Sequence, residues 1–459
     1  MRALWGLGLL ALLGSGCAHF ECTAHGGAEV RSLSSEHFVL TSALPLAAHR
    51  AEAERLELLW DTFAAFFGAD VAHARVPMVL LDDTGDVESF ASGYSGFVRR
   101  SGPRVLVVGA PAAEGAPGTN AHELTHLVSA FMLPRQPRWL AEGLATLFED
   151  ATFKDAHTVK MGRWNPGRAE EAFVVGVLPL EELMEWGGLK FDQSELLFYA
   201  SAWAWVHYLV NHEEARLQRL FAGLRGRKPV ADVMAEVFPP AERKTLQAAV
   251  QAYLGQARFR GWETRLNRVP QLSEPVLLSP SEVHAVRSQL FLRDEKAAQQ
   301  ELEKAVALAP KPLDGPAAVL RAELAKEDAK ALVTQFPTTP EVLVAAWLEE
   351  DAAADRAVLT AALAAHPDDV QLLLIGARVA LRQKDLELAA TWCARGLSLA
   401  PWSIEFVVVQ LDLELARREC EEAQRTLSQV ISLGPERPSE RDRKFFAELQ
   451  EAASKCEAR

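Results

Sequence analysis

The spacing of apolar residues changes near residue 270, and this change divides the chain into two parts that must fold differently. Before it, short apolar runs typical of strands alternate with segments whose apolar residues recur every three or four positions, as on one face of a helix. Beyond it, only the helical spacing remains. A chain of 459 residues is long enough for at least two domains. The sequence therefore predicts an α+β domain followed by an all-α region.

Three apolar runs and one long helical pattern define the start of the α+β domain. The runs HFVLTS, VPMVLL and RVLVV, which begin at residues 37, 76 and 104, are predicted strands. Between the first two, Leu56, Trp60, Phe63 and Phe67 share one face of a predicted helix that begins at Leu46. This order predicts a mixed sheet with helices packed on it, followed by an almost wholly helical stretch.

The all-α region, predicted over residues 275–459, contains helix-ending prolines at similar intervals. These prolines are Pro310, Pro337, Pro367, Pro401 and Pro435. The last two intervals are both 34 residues, which is the period of helix-turn-helix repeats. An alanine stands twelve residues before three of the prolines, where two helices must approach closely: Ala298, Ala389 and Ala423. These segments resemble degenerate tetratricopeptide repeats, which implies a solenoid that binds a protein partner; a stabilising extension without a partner is the alternative.

The first 17 residues have the three-part plan of an export signal. One basic residue precedes an apolar run from Ala3 to Leu13, and small residues follow up to Cys17. The segment LLGSGC resembles a bacterial lipoprotein signal, which implies lipidation of Cys17 and a membrane anchor in the cell envelope. An ordinary cleaved signal is the alternative, and it also places the mature chain outside the cytoplasm. Residues 18–35 are then a predicted linker to the α+β domain, predicted over 36–265.

Charge and cysteine content exclude two classes of protein. The formal net charge is −14, whereas a protein that binds nucleic acid normally presents a basic face, so we expect no nucleic-acid partner. Besides Cys17 the chain contains four cysteines: Cys22, Cys393, Cys420 and Cys456. They are too few and too scattered for a disulfide framework or a Cys-x-x-Cys zinc cage. Buried apolar cysteines and one disulfide of open pairing are both compatible with this pattern.

Catalytic chemistry is indicated by the segment HELTH, from His122 to His126, on the helix predicted after residue 118. One helical turn separates the two histidines, so both imidazoles leave the same face and can bind one Zn²⁺. Glu123 then points at the open position of the metal, where a carboxylate can take a proton from water. Two ordinary surface histidines on a helix are the alternative.

The next predicted helix supplies a third ligand in the segment WLAEGLA, which begins at Trp139. A catalytic zinc needs three protein ligands, and Glu142, 16 residues after His126, is the natural third. HELTH followed by WLAEGLA resembles the gluzincin metallopeptidases, most closely the peptidase-MA-like domains of bacterial exported proteins. The resemblance implies a mixed sheet plus a helical subdomain, zinc bound by His122, His126 and Glu142, and Glu123 as the catalytic acid and base.

The function implied by this resemblance is an exported zinc metallopeptidase acting on a protein or peptide substrate. The G-x-M-E-N segment with which aminopeptidases of this group hold a free amino terminus is absent upstream of the motif, so endopeptidase activity is expected. A catalytically inert envelope scaffold that binds a partner through the repeats is the alternative. A third interpretation keeps the metal but assigns a substrate other than a peptide.

One further helix contains the candidate for stabilising an oxyanion. Tyr199 resembles, in its position relative to Glu142, the tyrosine that aminopeptidases of this group use for that purpose. A core tyrosine is the alternative. His207 lies on the same helix face and is expected to be a packed or surface histidine, and Trp139 is expected in the core.

Overall fold

The computed structural model describes residues 20–67, 75–111, 118–133, 136–155, 157–163, 165–186, 193–226, 230–255, 261–266, 269–349, 351, 354–433 and 440–457. The predicted signal with Cys17 and the proline at 435 lie outside the described residues. No helix within these ranges is long and apolar enough to span a membrane.

Two sheets are formed by the strands of the described residues. The strands are β1 (Arg31–Ser34), β2 (Phe38–Ser42), β3 (Val76–Leu80), β4 (Phe97–Ser101), β5 (Arg104–Gly109), β6 (Thr152–Asp155), β7 (Thr158–Met161), β8 (Trp262–Arg265) and β9 (Val276–Leu277). The larger sheet has the order β4-β5-β3-β2-β1-β9, with β2, β3 and β5 parallel and the other pairs antiparallel. The smaller sheet, β6-β7-β8, is antiparallel.

The helices fall into one group that follows or flanks the larger sheet and a second group beyond residue 279. The first group is α1 (Leu46–Phe67), α2 (Thr84–Phe90), α3 (Thr119–Met132), α4 (Arg138–Glu149), α5 (Pro166–Val175), α6 (Leu180–Met184), α7 (Gln193–His212), α8 (Glu214–Arg225), α9 (Val230–Val237) and α10 (Pro240–Gly255). The second group, here called the C-terminal helical region, is α11 (Pro280–Leu290), α12 (Glu295–Leu308), α13 (Gly315–Ala325), α14 (Pro340–Trp347), α15 (Arg356–Ala365), α16 (Val370–Arg382), α17 (Leu386–Leu399), α18 (Ile404–Arg417), α19 (Cys420–Leu433) and α20 (Glu440–Glu457).

The predicted mixed sheet and helical C-terminal region are both confirmed. The three apolar runs form β2, β3 and β5, and the long helical pattern forms α1 with the predicted bounds. Trp60 and Phe63 on α1 are buried, and their rings contact Phe38 of the sheet at 5.6 Å and Phe148 of α4 at 4.7 Å between centroids. Burying one such aromatic side chain contributes about 2 kcal/mol. This core therefore joins the sheet to the helices that follow it.

The predicted linker over residues 18–35 is corrected by the structure, because part of it belongs to the sheet. Strand β1 lies between β2 and β9, and Phe20 and Cys22 are buried in a core cluster with Val283 of α11. Within β1 only Leu33 is fully buried, so the sequence of this strand lacks the apolar alternation that predicts a strand. Pairing with β2 and β9 stabilises β1 instead.

The C-terminal helical region packs against the larger sheet. Arg104 of β5 forms an ion pair of 2.6 Å with Asp369, and Arg100 of β4 donates a hydrogen bond to the carbonyl oxygen of Trp402. The side chain of Trp402 is buried in the same core cluster as α1. The boundary predicted between residues 265 and 275 therefore separates two kinds of architecture but not two independent bodies.

The predicted 34-residue interval recurs in the positions of the helices. Helices α16 and α18 begin at residues 370 and 404, and α17 and α19 begin at residues 386 and 420. Ala389 and Ala423 are fully buried, as expected where two helices approach closely, and Ala298 is half-buried. A disulfide joins Cys420 to Cys456 in the last two helices.

Candidate metal centre

Contacts with the end of β5 position the start of α3, the helix that contains HELTH. The side chain of Asn120 donates a hydrogen bond of 2.9 Å to the carbonyl oxygen of Ala110. Gly109 makes this close approach feasible, because a Cβ atom there would lie 1.9 Å from the Asn120 side-chain oxygen. Gly118, which precedes the helix, donates its N–H to the carbonyl oxygen of Glu149 at the end of α4. The first turn of α3 is thereby fixed to both the sheet and α4.

Helix α4 lies between α3 and α7, and a glycine sets its distance from α7. A Cβ atom on Gly143 would lie 2.5 Å from Val206 and 2.6 Å from the carbonyl oxygen of Ala202, both on α7. Only glycine leaves room for this packing, since the carbonyl oxygen belongs to the backbone. Trp139 is fully buried and its ring contacts Phe238, which confirms the prediction that it lies in the core. Glu142 is thus held on a rigid helix beside the two histidines.

Three side chains from α3 and α4 converge on one point. The Nε2 atoms of His122 and His126 are 3.0 Å apart. Oε2 of Glu142 lies 3.3 Å from Nε2 of His126 and 3.7 Å from Nε2 of His122. The structure therefore brings together the three residues that the sequence predicts as ligands, with one donor atom of each facing the other two.

The donor set fits a metal ion better than a closed set of hydrogen bonds. The three donor atoms belong to a group whose ligand atoms all lie within 4.8 Å of one another. Oε2 of Glu142 is buried and accepts no well-directed hydrogen bond, which leaves a carboxylate oxygen without the partner that burial normally requires. Two imidazole nitrogens and one carboxylate oxygen are a common ligand set for divalent transition metals. The described residues can therefore hold a metal at this point.

Glu149 orients His122 from the side opposite the donor atoms, a role that sequence analysis missed. Its Oε1 atom accepts a hydrogen bond of 2.6 Å from Nδ1 of His122. This bond places the imidazole proton on Nδ1 and leaves the Nε2 lone pair free for a metal. Arg168 lies 4.0 Å from the same carboxylate oxygen. The signal was present in the sequence, since Glu149 follows Glu142 by two helical turns and so shares its helix face.

The charge of the site favours a bound cation. Burial raises the pKa of Glu142, but the contact with His126 and the charges of His122 and Arg138 lower it further, so the net shift is downward and the carboxylate is ionised. Burial lowers the pKa of His126, but the contact with Glu142 and the charges of Glu142, Glu123 and Glu149 raise it above its ordinary value. Carboxylates thus dominate the electrostatics, and a metal ion would neutralise their charge.

Glu123 faces a cleft beside the edge of the larger sheet. It lines a cavity of about 300 Å³ together with His126, Leu127, Tyr94, Gly96, Phe97, Val98, Arg100 and Leu292. A Cβ atom on Gly96 would lie 3.6 Å from Cγ of Glu123, so the residue before β4 nearly touches the Glu123 side chain. Leu292, between α11 and α12, places the C-terminal helical region in the wall of this cleft.

Tyr199 is connected to the centre through other side chains. Its ring contacts Trp186 at 5.1 Å between centroids, and the guanidinium of Arg168 lies 5.3 Å from its centroid. Because Arg168 is also near Glu149, a chain of contacts runs from Tyr199 to His122. The oxyanion role of Tyr199 stays a prediction.

His207 is a core histidine, as expected. It is fully buried, with Nδ1 2.8 Å from the hydroxyl of Tyr253 and Nε2 3.1 Å from the carbonyl oxygen of Gly162. Burial lowers the pKa of His207 to about 4, so the ring is neutral, donates from Nε2 and accepts at Nδ1.

One protein family, described as a protein of unknown function (DUF1570), matches residues 119–231. The matched segment begins at α3 and contains His122, His126, Glu142 and Tyr199, while the larger sheet and the C-terminal helical region lie outside it. No curated protein shows significant similarity to the chain.

Proposed function

We propose that the protein is a zinc-dependent metallopeptidase of the gluzincin type that cleaves internal peptide bonds. The observation that supports this best is the convergence of His122 Nε2, His126 Nε2 and Glu142 Oε2 beside a cleft that also contains Glu123. Three protein ligands from two histidines and one carboxylate leave a coordination position open, which is the pattern of catalytic rather than structural zinc.

The chain's own residues have distinct parts in the proposed hydrolysis. When bound, zinc would supply Lewis-acid chemistry that polarises a carbonyl group and lowers the pKa of water. Glu123 would take a proton from water in the cleft and pass it to the leaving amine. Glu149 would hold His122 in the tautomer that ligation requires. Tyr199 would donate its hydroxyl proton to the developing oxyanion.

The position of β4 supports an extended peptide as substrate. Strand β4 is the edge of the larger sheet, paired with β5 on one side. A peptide segment can add to such an edge as a further strand, with main-chain hydrogen bonds that do not depend on its sequence. Because Gly96, just before β4, lies against Glu123, an added strand would pass beside the proposed catalytic carboxylate. This arrangement does not require a free amino terminus and so favours an endopeptidase.

The proposed location and partners rest on sequence alone. We propose that the chain is exported, lipidated at Cys17 and attached to a membrane of the cell envelope. The C-terminal helical region would bind a protein partner in the manner of tetratricopeptide repeats, and its contact with the cleft through Leu292 would let it influence which substrates enter. An inert scaffold with the same helical region is the alternative.

Exchange of Glu123 for glutamine tests the proposed chemistry. The variant Glu123→Gln keeps the shape of the side chain but removes the base, so it should retain zinc and lose hydrolysis of a fluorescently labelled unfolded protein by about 10²- to 10⁴-fold. Glu170→Gln, an exposed glutamate on α5, is the matched control. Equal turnover by the native chain and Glu123→Gln would refute the assignment. Zinc binding without hydrolysis by the native chain would favour the scaffold.

A further inference from the structure

A second group of metal-ligand side chains lies between the amino-terminal segment and α11. Sγ of Cys22 is 3.3 Å from Nδ1 of His25 and 3.2 Å from Nε2 of His284. The two histidine nitrogens are 3.1 Å apart. Oε1 of Glu21 lies 3.8 Å from Nδ1 of His25 and belongs to the same group of ligand atoms.

This geometry differs from that of an ordinary hydrogen-bond network. A hydrogen bond joins one donor proton to one acceptor, so three atoms that all touch one another leave lone pairs facing each other unless a cation lies among them. Cys22 and His284 are also almost completely buried, which removes water as an alternative partner for both side chains. The convergence therefore points to a shared cation.

The local backbone presents Cys22 and His25 on one side of a tight turn. The turn is a 3₁₀ helix over Thr23–His25, in which the N–H of His25 donates to the carbonyl oxygen of Cys22. Gly26 follows with φ of 85°, a conformation that glycine adopts without strain. A Cβ atom on Gly27 would lie 2.0 Å from the carbonyl oxygen of Glu21, so glycine is required there as well.

His284 is oriented in the same way as His122 in the first centre. Its Nδ1 atom donates a hydrogen bond of 2.6 Å to Oε2 of Glu301 on α12, which leaves the Nε2 lone pair directed at Cys22 and His25. Arg287 and Lys304 donate to the Glu301 carboxylate at 2.8 and 2.9 Å, so its charge is balanced and its position is fixed. The burial of this side-chain set is consistent with a site that is held ready for its ligand.

We propose that Cys22, His25 and His284, with Glu21 as the fourth ligand, bind a structural zinc ion. One sulfur, two imidazole nitrogens and a carboxylate oxygen make a four-coordinate set of the kind that zinc favours. Because the protein supplies all four ligands, this site has no open position for a substrate, unlike the proposed catalytic centre.

The effect of this zinc is to fasten the amino-terminal segment to the C-terminal helical region. Cys22 and His284 are 262 residues apart in the sequence, and both lie at a core cluster that includes Phe20, Val30 and Val283. The ion would close this long loop through bonds stronger than the packing of the cluster alone. The site is independent of the proposed hydrolysis, since none of its residues lines the cleft beside Glu123.

Cobalt substitution of the full chain tests this site separately from the catalytic one. Thiolate bound to Co²⁺ gives a charge-transfer absorption band in the near ultraviolet, whereas the ligands His122, His126 and Glu142 contain no sulfur. We expect this band in the folded native chain reconstituted with Co²⁺. It should persist in Glu142→Ala and disappear in Cys22→Ser.

Cys393→Ser is the matched control, because Cys393 is also a buried free cysteine but its sulfur donates to the carbonyl oxygen of Phe406. This variant should keep the band. Absence of the band from the folded native chain after incubation with Co²⁺ would overturn the proposal, and so would a band that survives Cys22→Ser. Because the native chain itself gives the decisive spectrum, the test does not depend on how well Cys22→Ser folds.

Discussion

The two histidine groups differ in how the fold assembles them and in what they leave open. The first, His122 with His126 and Glu142, comes from two consecutive helices and lies beside a cleft. The second joins a short turn near the amino terminus to His284, which is 262 residues from Cys22. The first offers three ligand atoms and the second four. The comparison teaches that similar donor atoms can serve catalysis or cohesion according to the number of ligands and access to solvent.

Removing a carboxylate ligand from each group should separate these two roles with the largest effect. Glu142→Ala should reduce hydrolysis by about 10³-fold or more, because the bound metal supplies several kcal/mol of stabilisation to the transition state. Glu21→Ala should instead lower the melting temperature by a few degrees while the folded chain still hydrolyses substrate. Initial rates and thermal unfolding of both variants, measured side by side, check this. Loss of hydrolysis in Glu21→Ala alone would reverse the assignment of the two groups.

His207 extends the comparison to a buried histidine with neutral partners. Its pKa is lowered to about 4, below the unfolded value near 6.5, so between these values the unfolded chain binds a proton that the folded chain does not. The contribution of His207 to stability is therefore present above pH 6.5 and is lost as pH falls to about 4, by about 3 kcal/mol.

Urea unfolding of the native chain and of His207→Gln at several pH values measures this effect. The native chain should lose more stability than the variant between pH 6.5 and pH 4. Burial raises the pKa of Asp150 to about 7, which has the opposite pH dependence, but this contribution is common to both chains and cancels in their difference. Parallel pH profiles for the two chains would contradict the neutral assignment of His207.

Gly143 tests whether the spacing of α4 and α7 supports the first group. A methyl group at this position meets the backbone of Ala202, so Gly143→Ala should lower the free energy of unfolding by about 2 kcal/mol and weaken zinc binding through Glu142. Gly255→Ala is the matched control, because a Cβ atom there meets no atom within 4 Å. Denaturant unfolding and zinc titration of both variants check this prediction. Equal effects of the two alanines would show that the close approach has no energetic role.

Glu149 should give the smallest effect, because it acts on the metal through His122. Glu149→Gln keeps a hydrogen-bond acceptor but removes the negative charge, so zinc affinity should fall by about tenfold or somewhat more. Competition with a chelator of known affinity measures this change. Glu170→Gln should leave the affinity unaltered. If Glu149→Gln matched Glu170→Gln, the contact with Nδ1 of His122 would contribute nothing to ligation.

Local sequence patterns predict the first group well because its ligands are close in the chain. HELTH places two imidazoles one turn apart, and Glu142 follows on the next helix, so the three residues needed only one helix-helix contact to meet. The strands β2, β3 and β5 were predictable for a similar reason, since each contains a complete apolar run.

The second group and the outer strands depend on contacts between distant segments. Nothing near Cys22 indicates that α11 will bring His284 to it, and β1 contains only one fully buried residue. The smaller sheet was missed because its strands β6 and β7 are only four residues long and β8 follows about a hundred residues later. Such features become visible only once the fold has brought the segments together.

Zinc content of the full chain tests the central claim most directly. Elemental analysis should find zinc in the native protein and one zinc fewer per chain in Glu142→Ala, with the same secondary structure by circular dichroism. Equal zinc content in the native chain and Glu142→Ala, or no zinc in the folded native chain after incubation with the metal, would contradict the assignment of His122, His126 and Glu142 as a catalytic zinc centre.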